Sequence, residues 1–158
     1  VKLKTASVEQ TTMDLDLKKV GEQCLRLESE TIVNIDDNIK NLISDMKVKM
    51  VEWRGVGLAA PQVGYNLRII VVKLGCGTIQ EMINPRISWT STERETMSEG
   101  CLSIPMTTVE VERPLKIRVK FQCVDEQFKY WSLHNFDARV VLHETDHLQG
   151  ILMTDYLD

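Results

Sequence analysis

Near the end of the chain the stretch VVLHETDHLQG, residues 140–150, sets His143 and His147 four positions apart, with Glu144 beside the first. On a helix, residues i and i+4 lie one above the other on the same face. Two imidazole nitrogens can then aim at one ion while the carboxylate stands next to it. Such a set suits hydrolysis, with a metal to activate water and a base to take its proton. The apolar neighbours Val140, Val141, Leu148 and Leu152 argue that the motif is buried, which two solvated histidines would not need. Catalytic metal sites generally have three protein ligands and one open position. Only eleven residues follow His147, and the acids Asp155 and Asp158 are not at the spacings that proteases of the H-E-x-x-H type use. The other histidine, His134, precedes the helix, so the third ligand is expected upstream.

Upstream, MSEGCLSIP (97–105) holds Cys101 behind a glycine and ahead of Pro105, in what reads as a non-periodic bend. A thiolate there would complete a Cys/His/His set with one position open. A third stretch, RGVGLAAPQVG (54–64), joins small residues that permit close backbone approach to Gln62, whose amide could donate to an oxyanion. No lysine follows and the pattern G-x-G-x-x-G is not met, which argues against a nucleotide loop.

These residues need elements to hold them. DDNIKNLISDMKVKMVEW, from Asp36, places Ile39, Leu42, Ile43, Met46, Met50 and Trp53 at helical spacing and predicts an amphipathic helix of about four turns. Segments 67–74, 81–87, 115–124 and 128–135 are rich in β-branched or aromatic residues and read as strands, the last two joined as a hairpin through Asp125–Gln127. Asn135 can cap a helix from Phe136 to about Gln149, closed by Gly150. The expected class is α+β: antiparallel strands packed around a C-terminal metal-binding helix, with an amphipathic helix in the N-terminal half. One domain over 1–158 is expected, with residues 1–14 as a flexible lead-in.

The net charge of −4 comes from charges scattered along the chain, with no dense Lys/Arg block and no run of interleaved basic and aromatic residues. That argues against a nucleic-acid partner. No apolar run approaches a membrane span and residues 1–20 lack a signal-peptide core, so no membrane partner is expected. Cys24, Cys76, Cys101 and Cys123 form no C-x-x-C pair and fit a reducing compartment, where all but Cys101 are packing or surface thiols.

Taken together, GVGLAAPQ (55–62), EGCLS (99–103) and HETDH (143–147) resemble, in order and spacing, the three motifs of the peptide deformylase family. The likeness runs from about Leu15 to the end, with KKVGEQCLR (18–26) similar to the family's early strand and Leu-Arg turn, without its usual proline. The resemblance implies removal of the formyl group from N-formylmethionine at the start of nascent chains, with release of formate. It implies Cys101, His143 and His147 as metal ligands and Glu144 as general base. Gln62 and the Leu102 backbone N–H would be oxyanion donors. Val56, Gly57 and Gly100 would pair with an extended substrate, and Val140, with the His143 ring, would line the methionine pocket. It further implies one divalent ion per chain, Fe(II) natively, with Zn, Ni or Co acceptable in the isolated protein.

Two positions depart from the family pattern, Leu142 where glutamine is common and Asp137 in a usually apolar helix start; neither touches a ligand. The stop at Asp158 leaves no room for the C-terminal helix with which many bacterial members approach the ribosome, so ribosome docking is not expected. A monomer is expected, in the cytoplasm of a bacterial or phage-infected cell, or in an organelle had a transit peptide preceded Val1. Two rival readings stay open at this level. A zinc endopeptidase would share the helix and not need Cys101, and a non-catalytic relative would keep the ligands without needing Glu144 or Gln62.

Overall fold

Asp36 starts the first helix by accepting the Ile39 N–H at 2.9 Å, which satisfies one of the donors a helix leaves free at its N-terminus. The computed structural model describes residues 14–157, and helix α1 spans Asp37–Glu52, matching the predicted amphipathic helix. Its buried stripe is Leu42, Ile43, Met46 and Met50, each chain contributing about 1.5–3 kcal/mol by leaving water. The chain leaves α1 through Arg54, in the left-handed region at φ 60°, and Gly55 N–H returns to Met50 O at 2.9 Å.

Seven strands follow: β1 (Gly57–Ala59), β2 (Ile69–Lys73), β3 (Ile79–Thr90), β4 (Arg94–Cys101), β5 (Ile104–Pro114), β6 (Lys116–Gln122) and β7 (Phe128–His134). All strand pairs are antiparallel, in a five-stranded sheet ordered β1-β2-β3-β6-β7 and a separate hairpin of β4 and β5. Helix α2, Asn135–His147, follows β7 and packs on the larger sheet, giving the expected α+β class. Strand β2 sits between the two helices, and its alternation shows how. Ile69 and Val71 join the core of α1, while Ile70 and Val72 join Val140, Val141 and Leu148 of α2 and its C-terminal end. On the α1 side the helix covers only the β1–β3 end, and β6 turns Lys116 and Arg118 to solvent. No helix of the described residues is long and apolar enough to cross a membrane.

Four expectations are corrected. The bend read at 97–105 is the tip of the β4–β5 hairpin; the one buried residue of β4 is the charged Glu99, so no apolar alternation marked it. Residues 18–26 form no strand: Gln23–Arg26 is a short 3-10 helix, and the nearest pairing is a single bridge between Glu30 and Leu67. Asn135 does not cap α2 with its side chain; it takes φ 56° as the helix turns off β7, with its N–H on Leu115 O at 2.8 Å. Helix α2 ends at His147, two residues before the expected Gln149, though Gly150 does adopt the left-handed closing conformation at φ 73°. The lead-in expected over 1–14 lies, but for Asp14, outside the described residues.

Candidate metal centre

The three upstream and downstream motifs meet where β1, the β4–β5 tip and α2 converge. A register shift between Gly100 and Cys101 interrupts the β4–β5 ladder, the kind of bulge that re-aims a side chain beside a site. Cys101, the last residue of β4, brings Sγ to 3.5 Å from His147 Nε2. One donor atom each from Cys101, His143 and His147 lies within 4.8 Å of the others, and no other such cluster of three exists among the described residues. A fourth protein ligand is absent from that cluster, as an open catalytic site requires.

What surrounds the cluster fits a cation. His143 Nδ1 meets Glu99 Oε1 at 2.9 Å, which fixes the ring and leaves Nε2 to face Cys101 and His147. Burial works to lower the His143 pKa, but hydrogen bonds to Cys101 and Glu99 and the charge of Glu144 raise it to about 10. The cage therefore attracts positive charge. His147 moves the other way: burial, then the charges of His143 and Arg113, hold it down at about 3, a neutral imidazole with a lone pair to give. A soft thiolate with two imidazoles is a donor set for a transition metal.

Glu99 is the residue that sequence reasoning passed over, although it opens EGCLS. Its carboxylate accepts from Arg113 Nε at 2.6 Å and Nη2 at 2.9 Å, and from Arg139 Nη1 at 2.6 Å, besides His143. Burial would raise its pKa; the bonds from Arg113 and His143 prevail and hold it at about 2. Arg113 also donates to Asp146 Oδ2 at 2.9 Å, which ties the fourth residue of HETDH into the same network.

Glu144 is buried, and its Oε1 has no hydrogen-bond partner in the protein. Burial is the chief reason its pKa rises to about 7. Backbone comes close here: a β-carbon at Gly57 would lie 2.5 Å from Glu144 Oε2, so only glycine lets β1 run past the carboxylate. Gln62 is oriented by Ala59 N–H on its Oε1 at 2.9 Å, and its Nε2 points to Ser103 Oγ at 3.1 Å and Cys101 Sγ at 3.7 Å. Val56, Gly57, Gln62, Gly100, Cys101, Leu102, His143 and Glu144 all line one open cleft of about 480 Å³. Val140 lies in an adjoining hollow of about 250 Å³ that shares Val56, Gly100, His143 and Glu144 with the cleft. His147 sits behind them, almost fully buried.

Comparison with known proteins agrees with this geometry. The family model described as polypeptide deformylase matches residues 15–158. The peptide deformylase of Thermotoga maritima is 40% identical over 139 residues, covering 88% of this chain and 84% of that protein. Among solved structures, a probable peptide deformylase from Synechococcus phage S-SSM7 superposes with a TM-score of 0.86 at 43% identity, covering 91% of this chain and 100% of that one. The enzyme of Synechococcus elongatus, solved with actinonin, gives 0.88 at 36% identity, covering 92% and 79%. With three motifs folded into one Cys/His/His site and the family's model matched from Leu15 onward, the chain belongs to the peptide deformylases, a family of metallohydrolases.

Proposed function

We propose that the chain works as one catalytic domain that removes the formyl group from N-formylmethionyl nascent peptides, with Fe(II) as its native ion. The observation that carries this is the placement of Glu144, its Oε1 unpartnered, beside the Cys101/His143/His147 cluster at the junction of cleft and hollow. Cys101 Sγ and the Nε2 atoms of His143 and His147 would hold the ion. When bound, the ion supplies Lewis-acid polarisation and eases deprotonation of water near neutral pH.

The protein's own groups do the rest. Strand β1 is an edge of the sheet, facing the β4–β5 tip across the cleft, so an extended peptide can add to it through the backbone of Val56, Gly57 and Gly100. The methionine side chain enters the hollow lined by Val140 and the His143 ring. Glu144, raised to about 7 by burial, takes the proton of the attacking water as oxygen adds to the formyl carbon. The Gln62 amide and the Leu102 N–H receive the negative charge that develops on the formyl oxygen, where one donor is worth roughly 3 kcal/mol. Glu144 then returns the proton to the nitrogen as the C–N bond breaks, giving formate and a free amino terminus.

Release of formate from a short N-formylmethionyl peptide, by protein purified without oxygen and supplied with Fe(II), tests the proposal, with Glu144→Gln alongside. Turnover by the parent that collapses at least roughly 10²-fold in the variant, with metal retained in both, is expected. A parent that binds one ion per chain and releases no formate overturns it.

A further inference from the structure

The half of the large sheet that α1 leaves uncovered carries an unusual population for a chain of net charge −4. Lys116, Arg118 and Lys120 stand at alternate positions on β6, outward, at spacings of roughly 6.8 Å. Lys116 and Arg118 are exposed and Lys120 is half-buried, and Arg86 on β3, paired with Lys120 in the ladder, is exposed. None of these four cations makes an ion pair among the described residues. The neighbouring acids Glu93, Asp125 and Glu126 lie in the turns that bound the strands, not on them.

Large rings flank this row on both sides. Trp89 on β3 is 44% exposed, and Phe128 and Tyr130 on β7 are 58% and 72% exposed. The register sets Trp89 opposite Arg118 and Tyr130 opposite Lys120. Arg118 lies 5.0 Å from the Trp89 ring centre, and Lys120 lies 5.0 Å from that of Phe128 and 5.5 Å from that of Tyr130. Cation–π contact rewards each such pair by about 0.5–1 kcal/mol at an exposed site, and three large exposed rings on one face are the kind of surface that marks an interaction site.

From the unpaired cationic row on β6 and the exposed rings on β3 and β7, we propose that this face binds a single-stranded nucleic acid. Phosphates follow Lys116, Arg118 and Lys120 while bases stack on Trp89, Phe128 and Tyr130, the combination by which sheet surfaces hold unpaired strands. A duplex offers its phosphates but not its base faces, so it meets only half of the surface. The absence of a basic run along the chain does not bear on this face, because its members come from three strands that meet only in the fold. The face lies on the side of the sheet away from α2, so occupancy leaves the cleft open.

Fluorescence anisotropy with labelled twelve-nucleotide oligouridylate and oligothymidylate tests this, with a duplex of equal length and heparin as references. Expected are saturable binding of at least one single strand and a log–log salt slope of about −2 to −3 for three or four phosphates. Binding should be lost in R118E/K120E and weakened roughly fivefold or more in Tyr130→Ser and Phe128→Ser, whose heparin binding stays as in the parent. The tighter of the two strands identifies RNA or DNA as the natural source. Thermal midpoint and formate release, both expected unchanged, report that each variant is folded. The proposal is overturned if neither strand binds at about 50 mM salt, if R118E/K120E binds as the parent does, or if the ring variants leave strand binding intact. The last result, like equal affinity for the duplex, would mark the face as a general polyanion surface.

Discussion

Glu99 bears more of the site than its single carboxylate suggests. It orients His143, and it neutralises Arg113 and Arg139, all of them buried. Replacing it with glutamine takes the counter-charge of its carboxylate away from both guanidiniums and the strong acceptor from the imidazole. A metal ligand that loses such a partner typically binds its ion 10–100-fold more weakly. We expect Glu99→Gln to show a loss of about that size in competition with a chelator, together with a lower thermal midpoint. Unchanged affinity would mean that Glu99 serves only the fold. Gly57 acts by what it lacks. Gly57→Ala must displace the Glu144 carboxylate or β1 itself, and a displacement of about 1 Å at a reacting group costs on the order of 10²-fold in rate. The expected signature is a fall in kcat with metal content intact.

At the scale of elements, the C-terminal end of α2 is locked against the N-terminal segment. Gly150 has φ 73°, and a β-carbon there would lie 2.5 Å from Arg26 O, so Gly150→Ala combines a disfavoured conformation with a backbone clash. A stability loss above about 1 kcal/mol in urea denaturation is expected, more than for Asp36→Ala at the α1 cap, at about 1 kcal/mol. What could be read from sequence follows from the same locality. His143, Glu144 and His147 announce themselves because one helix turn brings them together, and α1 does so because its apolar residues repeat every three to four positions. The β4–β5 hairpin was hidden, since β4 is exposed over Arg94–Glu99 but for the Glu99 carboxylate, and an open strand needs no alternation. The Glu99–Arg113–Arg139 network joins residues 14 and 40 positions apart, and nothing in the spacing of charges says which will meet. Asn135 misled because asparagine serves equally as a helix cap and as a left-handed corner.

For the whole molecule, acid sensitivity has an identifiable contributor far from the metal ligands. Glu81 on β3 meets Lys47 of α1 at 2.7 Å and accepts the Val124 N–H, in the turn after β6, at 3.1 Å. Burial would raise its pKa, but these contacts prevail and lower it. A carboxylate depressed on folding contributes its stability in full above the unfolded value of about 4.3 and loses it as pH falls through the folded value. Urea melts between about pH 3 and 7 should therefore show the gap between parent and Glu81→Gln closing toward the acid end. A gap independent of pH would assign the effect to packing. The architecture also has a seam. Cys101 belongs to the two-stranded hairpin, whereas His143 and His147 belong to the helix on the five-stranded sheet, so an ion held by all three bridges two layers. Whatever binds only the folded state stabilises it, by about 2.7 kcal/mol at a hundredfold excess over Kd. Stripping the ion should expose the hairpin over 94–114 to limited proteolysis before the rest of the chain. A cell short of the ion would then hold fewer copies of the protein as well as less active ones, and its supply of that ion would be read out as lifetime.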